Sequence, residues 1–203
     1  MRKLANELSQ VSCITYLDSV ELTDRLLSHD IKQCVLVACA DMGANLPYVC
    51  SAPEANLLTF QNMGHRTNQF GIDTVLSETA TDLVVYGHSD CEFLRFLAQP
   101  QLQNEAGQML IRNQFKSESE SLIHQYKSQV GIDEDTKWKT LSEWWVMREL
   151  KSILSNSRIG HRAESARLKL HGWVHNAEQK TLEIFDPKQQ QFVVERKAWR
   201  LPQ

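Results

Sequence analysis

Two short stretches hold residue types that can do chemistry. VLVACADMGA, residues 35–44, ends an apolar run in Cys39 and sets Asp41 two positions further on. LVVYGHSDC, residues 83–91, ends a second apolar run with His88 and Cys91. Two thiols and an imidazole are the soft and borderline donors that zinc takes. The H-x-x-C spacing lets one turn present both side chains to a single ion. Three protein donors leave a fourth position open. That is the catalytic arrangement, in which Zn2+ brings a bound water toward a pKa of about 7. Asp41 stands where it can fill that position or accept a hydrogen bond from its occupant. Cys34 lies within the first apolar run, and Cys13 and Cys50 belong to no such motif, so these three are read as structural.

The elements that must position these groups follow from periodicity. Gln33–Ala40 and Asp82–Tyr86 are short unbroken apolar runs, as expected of strands buried on both faces. Asn56–Asn62 is a further strand candidate. Helices are expected at residues 4–29 with a break near Asp18, at 68–80, from Cys91 until Pro100 stops it, at 104–129 and at 139–154. GIDEDTKW, 131–138, reads as a loop. Leu168–Val174 and Thr181–Phe185 read as a hairpin turning at HNAEQK, with KQQQ as a later turn. Strands alternating with helices predict an α/β fold: a mostly parallel central sheet flanked by helices, with an antiparallel edge hairpin. In such sheets ligands bind beyond the carboxyl ends of the strands, so both motifs are expected on one rim.

Composition bounds the partners. The chain has 203 residues, which suits one domain, 1–203, with a full core. Its net charge of -3 lacks the basic excess of a nucleic-acid or anionic-membrane surface. No apolar run approaches the ~20 residues of a membrane span, and a cytoplasmic location is expected. Five cysteines without framework spacing are expected to be free thiols or ligands. SESES, 117–121, reads as a solvated helix face, and Trp144, Trp145 and Trp173 as core or interface residues. His171 and His175 have no ligand spacing to either motif.

CADMG followed by GHSDC resembles the β-class carbonic anhydrases, whose pattern is C-x-D-x-R and then G-H-S-x-C-G. FQNMGH resembles that family's R-N-A-G-N segment, keeping Asn62 and Gly64. SEWWVMRELKSIL and LKLHGWVHNAEQKTLEIFD resemble its late helix and hairpin, so the likeness runs from about residue 30 to 194. The resemblance implies reversible hydration of carbon dioxide to bicarbonate, with zinc on Cys39, His88 and Cys91 and Asp41 as catalytic group or fourth ligand. It also implies a homodimer or larger assembly, with residues 1–30 as a helical arm packing on a partner subunit.

The departures from the pattern cluster at the site. Gly43 stands where the family has the arginine that pairs with the aspartate. Gln61 replaces another arginine, His65 an asparagine and Glu92 a glycine. Either Asp41 moves onto the metal, or another cation such as Arg66 or Arg95 replaces the missing one. His65 is a candidate proton shuttle beside its plainer reading as a loop histidine. Two alternatives to hydration follow: a catalytically silent zinc-binding homologue acting as a regulatory or binding subunit, and a hydrolase of carbonyl sulfide or carbon disulfide.

Overall fold

Strands β1 (Cys34–Cys39) and β3 (Asp82–His88) are buried at every position, which is why neither shows an alternating pattern. They lie side by side at the centre of a six-stranded sheet ordered β2-β1-β3-β4-β5-β6. The other strands are β2 (Leu57–Asn62), β4 (Lys169–Asn176), β5 (Thr181–Asp186) and β6 (Gln191–Val194). The first four in that order run parallel, and β4, β5 and β6 pair antiparallel. This is the expected α/β architecture, with one strand more at the antiparallel edge. The computed structural model describes residues 1–45, 56–64, 66, 67, 72, 76, 78–99 and 113–195. Cys50, His65, Pro100 and most of the helix expected at 68–80 lie outside them, as does the start of that expected at 104–129.

Alternate side chains of the sheet feed two cores. Leu36, Val84 and Trp173 face one, with α2 (Ser19–Leu27), α3 (Glu92–Ala98) and α4 (Lys116–Lys127). Val35, Val37, Val85 and Leu170 face the other, with α1 (Arg2–Ser9), α5 (Glu134–Ser155) and α6 (Ser157–Glu164). α5 supplies both, through Leu141 and Trp145 on one side and Val146 and Leu150 on the other. It lies close on β4 at Gly172, where an added Cβ would stand 3.0 Å from both Leu150 and Val146.

Four expectations are corrected. GIDEDTKW is not all loop: Asp133 accepts the Thr136 N–H at 2.9 Å, capping α5, so the helix starts at Glu134. The break expected near Asp18 is present, with Asp18 capping α2, but it opens already at Gln10, because Ile14 bridges to Leu170. The turn expected at KQQQ is present through Gln190, but the strand that follows, β6 from Gln191, was not expected and is held in the sheet by its pairing with β5. SESES is not a solvated face, since Glu118 and Ser119 are buried. Ser119 Oγ donates to the Leu97 carbonyl at 2.8 Å, and Glu118 meets a buried arginine.

Candidate metal centre

Cys39 and His88 are the last residues of adjacent parallel strands, so the sheet delivers both to one rim. The chain leaves β1 in a 3-10 turn, Ala40–Asn45, fastened by Met42 at 1% exposure. That turn carries Asp41 back toward the strand ends. The chain leaves β3 through Ser89 and Asp90, and Cys91 is the N-cap of α3. One ligand atom from each of Cys39, Asp41, His88 and Cys91 lies within 4.8 Å of the others. The two sulfurs are 3.7 Å apart, as free thiols. Two thiolates on a tetrahedral zinc, each with a Zn–S bond of about 2.3 Å, lie about 3.8 Å apart, so the donor set and its spacing fit that ion.

His88 is gripped at both ring nitrogens. Nδ1 meets Asp90 Oδ1 at 2.7 Å and Nε2 meets Asp41 Oδ1 at 2.8 Å. Burial opposes the imidazolium, but the bonds to Asp41, Cys39 and Asp90 outweigh it and push its pKa up to about 10. Burial tends to raise the Asp90 carboxyl, yet its contact with His88 leaves it below the ordinary value. Burial first, and then Cys39 and Asp41, push the Cys91 thiol well above its ordinary range. The sequence reading missed Asp90, although it stands in GHSDC only two residues after His88.

Backbone groups complete the surroundings. The Glu92 N–H donates to Asp41 Oδ2 at 2.9 Å, and the Gly64 N–H donates to Cys39 Sγ at 3.1 Å. Ser142 Oγ of α5 donates to the His88 carbonyl at 2.7 Å. His175 is the register partner of His88 across β3 and β4, a neighbourhood that sequence spacing concealed. Cys39, Ala40, Asp41, Met63, Glu92, Phe93 and Phe96 line a cavity of about 460 Å³ beside the cluster.

Neither candidate arginine reaches Asp41. Arg66 is buried, pairs with Glu118 Oε1 at 2.9 Å and lies 4.3 Å from the Phe115 ring centroid. Arg95 pairs with Glu92 at 3.6 Å and lies 5.5 Å from the Trp138 ring centroid. Among the described residues the Asp41 carboxylate has only His88 and the Glu92 N–H as partners. Gly43 sits in the 3-10 turn, and the Gln61 side chain is exposed on edge strand β2.

A family model described as carbonic anhydrase matches residues 34–182. No curated protein matches the chain. A solved structure of the β-carbonic anhydrase CcaA is 18% identical, covering 87% of this chain and 90% of its own, with a TM-score of 0.69. A tetrameric β-carbonic anhydrase of the filamentous ascomycete Sordaria macrospora is 13% identical, covering 86% of this chain and 85% of its own, with a TM-score of 0.57. The Coccomyxa β-carbonic anhydrase in complex with acetazolamide is 13% identical, covering 84% and 77%, with a TM-score of 0.55. At these identities the structural likeness speaks for the fold.

Proposed function

The chain belongs to the β-carbonic anhydrase family, and from that premise we propose that it is a zinc enzyme hydrating carbon dioxide reversibly to bicarbonate. The convergence of Cys39, His88, Cys91 and Asp41 on one point carries the proposal. Cys39, His88 and Cys91 would hold the ion, and Asp41 is the catalytic carboxylate. Bound there, zinc supplies Lewis acidity and an acidified water at neutral pH. Asp90 accepts from His88 Nδ1, which reserves Nε2 for the ion. The Glu92 N–H holds Asp41 by Oδ2 and leaves Oδ1 facing the cluster, where it can take a hydrogen bond or a proton. Ala40, Met63, Phe93 and Phe96 give the cavity apolar walls suited to a neutral substrate.

The assembly we propose is a homodimer or larger, acting in the cytoplasm as a single domain of residues 1–203. Solved relatives include proteins described as tetrameric. Among the described residues no helix is long and apolar enough to cross a membrane. The arm of residues 1–30 buries Ala5 and Leu8 in its own chain and leaves Leu4 and Val11 half covered, which suits added burial against a partner.

Stopped-flow hydration of carbon dioxide, with zinc quantified in each preparation, tests the activity across neutral and alkaline pH. A rate proportional to bound zinc is expected, and a rate no better than buffer with zinc fully bound overturns it. One observation favours a second reading. Asp41 lies among the donors with no arginine among the described residues to hold it away, as in a closed four-donor site of a catalytically silent zinc protein. That reading predicts full zinc and no turnover at any pH, with carbonyl sulfide or carbon disulfide as substrate no less than with carbon dioxide.

A further inference from the structure

Cys39 Sγ has a backbone donor fixed in place by a distant side chain. β1 and β2 pair so that Cys39 lies opposite Asn62, and the chain turns immediately after Asn62. Asn62 clamps that turn with its own amide: Oδ1 accepts the Arg66 N–H at 2.6 Å, and Nδ2 donates to the Arg66 carbonyl at 2.6 Å. Gly64 lies inside the clamp at φ +74°, a conformation that L side chains rarely adopt. A Cβ there would stand 2.5 Å from the Phe93 ring. The position therefore takes glycine for both backbone and space. Its N–H points at Cys39 Sγ, 3.1 Å away, and its carbonyl accepts from Trp145 Nε1 at 2.8 Å. Trp145 is wholly buried in α5, with the Arg148 guanidinium 4.8 Å from its ring centroid.

We propose that Trp145 is a positioning residue of the metal centre: its indole N–H holds the Gly64 carbonyl so that the Gly64 N–H tunes the Cys39 thiolate as a ligand. The inference rests on the zinc reading above. A hydrogen bond to a thiolate withdraws electron density from sulfur and fixes its direction, so the thiolate donates less to the ion. Cys91 draws its backbone interaction from another element, the Leu94 N–H of α3, so the two thiolates are held by different parts of the fold. Trp144 is the built-in control. It lies beside Trp145, with ring centroids 6.3 Å apart, and has no bond to Gly64.

The test uses the full chain loaded with cadmium-113 or cobalt(II). In the native protein the Gly64 amide proton couples to cadmium through the N–H···S bond, giving a cross-peak in a proton–cadmium correlation spectrum. With cobalt, Trp145→Phe moves the thiolate-to-metal charge-transfer band to lower energy and weakens metal retention several-fold against a chelator, while Trp144→Phe leaves both unchanged. Cadmium uptake without the Gly64 cross-peak overturns this inference alone, and that measurement needs no variant to fold. An unchanged cobalt band in a folded, fully loaded Trp145→Phe protein overturns it as well. Failure to take up cadmium or cobalt at one equivalent overturns the zinc reading, and this inference with it.

Discussion

Asp41 Oδ1 lies 2.8 Å from His88 Nε2, the ring nitrogen left for a metal once Asp90 has taken Nδ1. The carboxylate thus touches the donor set directly, and its other oxygen is tied to the Glu92 N–H. Asp41→Asn removes the charge and keeps the shape. Zinc is expected to remain on Cys39, His88 and Cys91 with roughly 10- to 100-fold weaker retention. Carbon dioxide hydration is expected to fall by about 100-fold or more, as for loss of a general base. Chelator competition and stopped-flow rates on the same preparations measure the two effects separately.

Zinc uptake by the metal-free protein is expected to strengthen as pH rises. The ion needs unprotonated Nε2 and thiolate, and it competes with protons for both. Near neutral pH His88, with its pKa at about 10, carries an extra proton, and Cys91, raised well above its ordinary value, carries its own. Each zinc bound should then release at least these two protons. Calorimetric titration in buffers of different ionisation enthalpy counts them, and an affinity independent of pH contradicts the prediction.

The metal-free fold should lose stability in two steps as pH rises. Burial pushes the Glu143 carboxyl up to about 7, with Lys139 opposing and Glu183 reinforcing, from an ordinary 4.5. His88 is raised from 6.5 to about 10. A group whose pKa is raised by folding stabilises fully below its unfolded value, and that contribution disappears as pH passes its folded value. Glu143 therefore acts between pH 4.5 and about 7, and His88 between pH 6.5 and about 10. Thermal melts of the metal-free protein should show both declines, and Glu143→Gln should flatten only the first.

Glu118→Ala should cost about 3–5 kcal/mol in denaturant unfolding, because it strands a buried guanidinium. Arg66 is 4% exposed, and burial pushes its pKa down while Glu118 and Glu149 hold it up. Among the described residues its Nε and Nη1 have no hydrogen-bond partner, so it has little to fall back on. Replacing both residues by apolar ones, Arg66→Met with Glu118→Leu, should restore much of the loss. A double-mutant cycle reads the coupling.

Asp82 opens β3 at the end away from His88, and it is as buried as the site. It accepts from His171 Nε2 at 3.0 Å and from Thr81 Oγ1 at 2.7 Å. Asp82→Ala should destabilise the fold by about 3 kcal/mol, since it takes the partner from buried His171 Nε2 while Nδ1 keeps the Thr15 carbonyl at 2.9 Å, and zinc stoichiometry should stay unchanged. Unfolding and metal content measured together separate this buried pair from the ligand cluster.

Much of this arrangement was readable because two central strands carry their chemistry at their ends. An apolar run stopping at Cys39 and another stopping at His88 announce both the sheet and its rim. The rest depended on partners distant in sequence. Glu118 looks solvated in SESES because its partner Arg66 stands 52 residues away. His175 becomes a neighbour of His88 only once β4 is known to pair with β3. Ile14 interrupts the first helix by bridging to Leu170, which no local pattern announces. Asp90 was a local omission, as was the Asp133 cap of α5. Asp90 lay inside the motif itself, where attention to the two ligand types passed over the carboxylate between them.

Three positions on α5 grip the site from one side. Ser142 holds the His88 carbonyl, Trp145 the Gly64 carbonyl, and Glu149 Oε2 the Thr67 N–H at 2.8 Å. Those contacts span 54, 81 and 82 residues of sequence. On the ribosome, every residue of the ligand motifs emerges long before the helix that fixes their surroundings. A chain arrested before α5 carries the cysteines and the histidine but lacks these three clamps. Completion of the proposed metal site is therefore expected late in the life of the nascent chain, once α5 has packed against it.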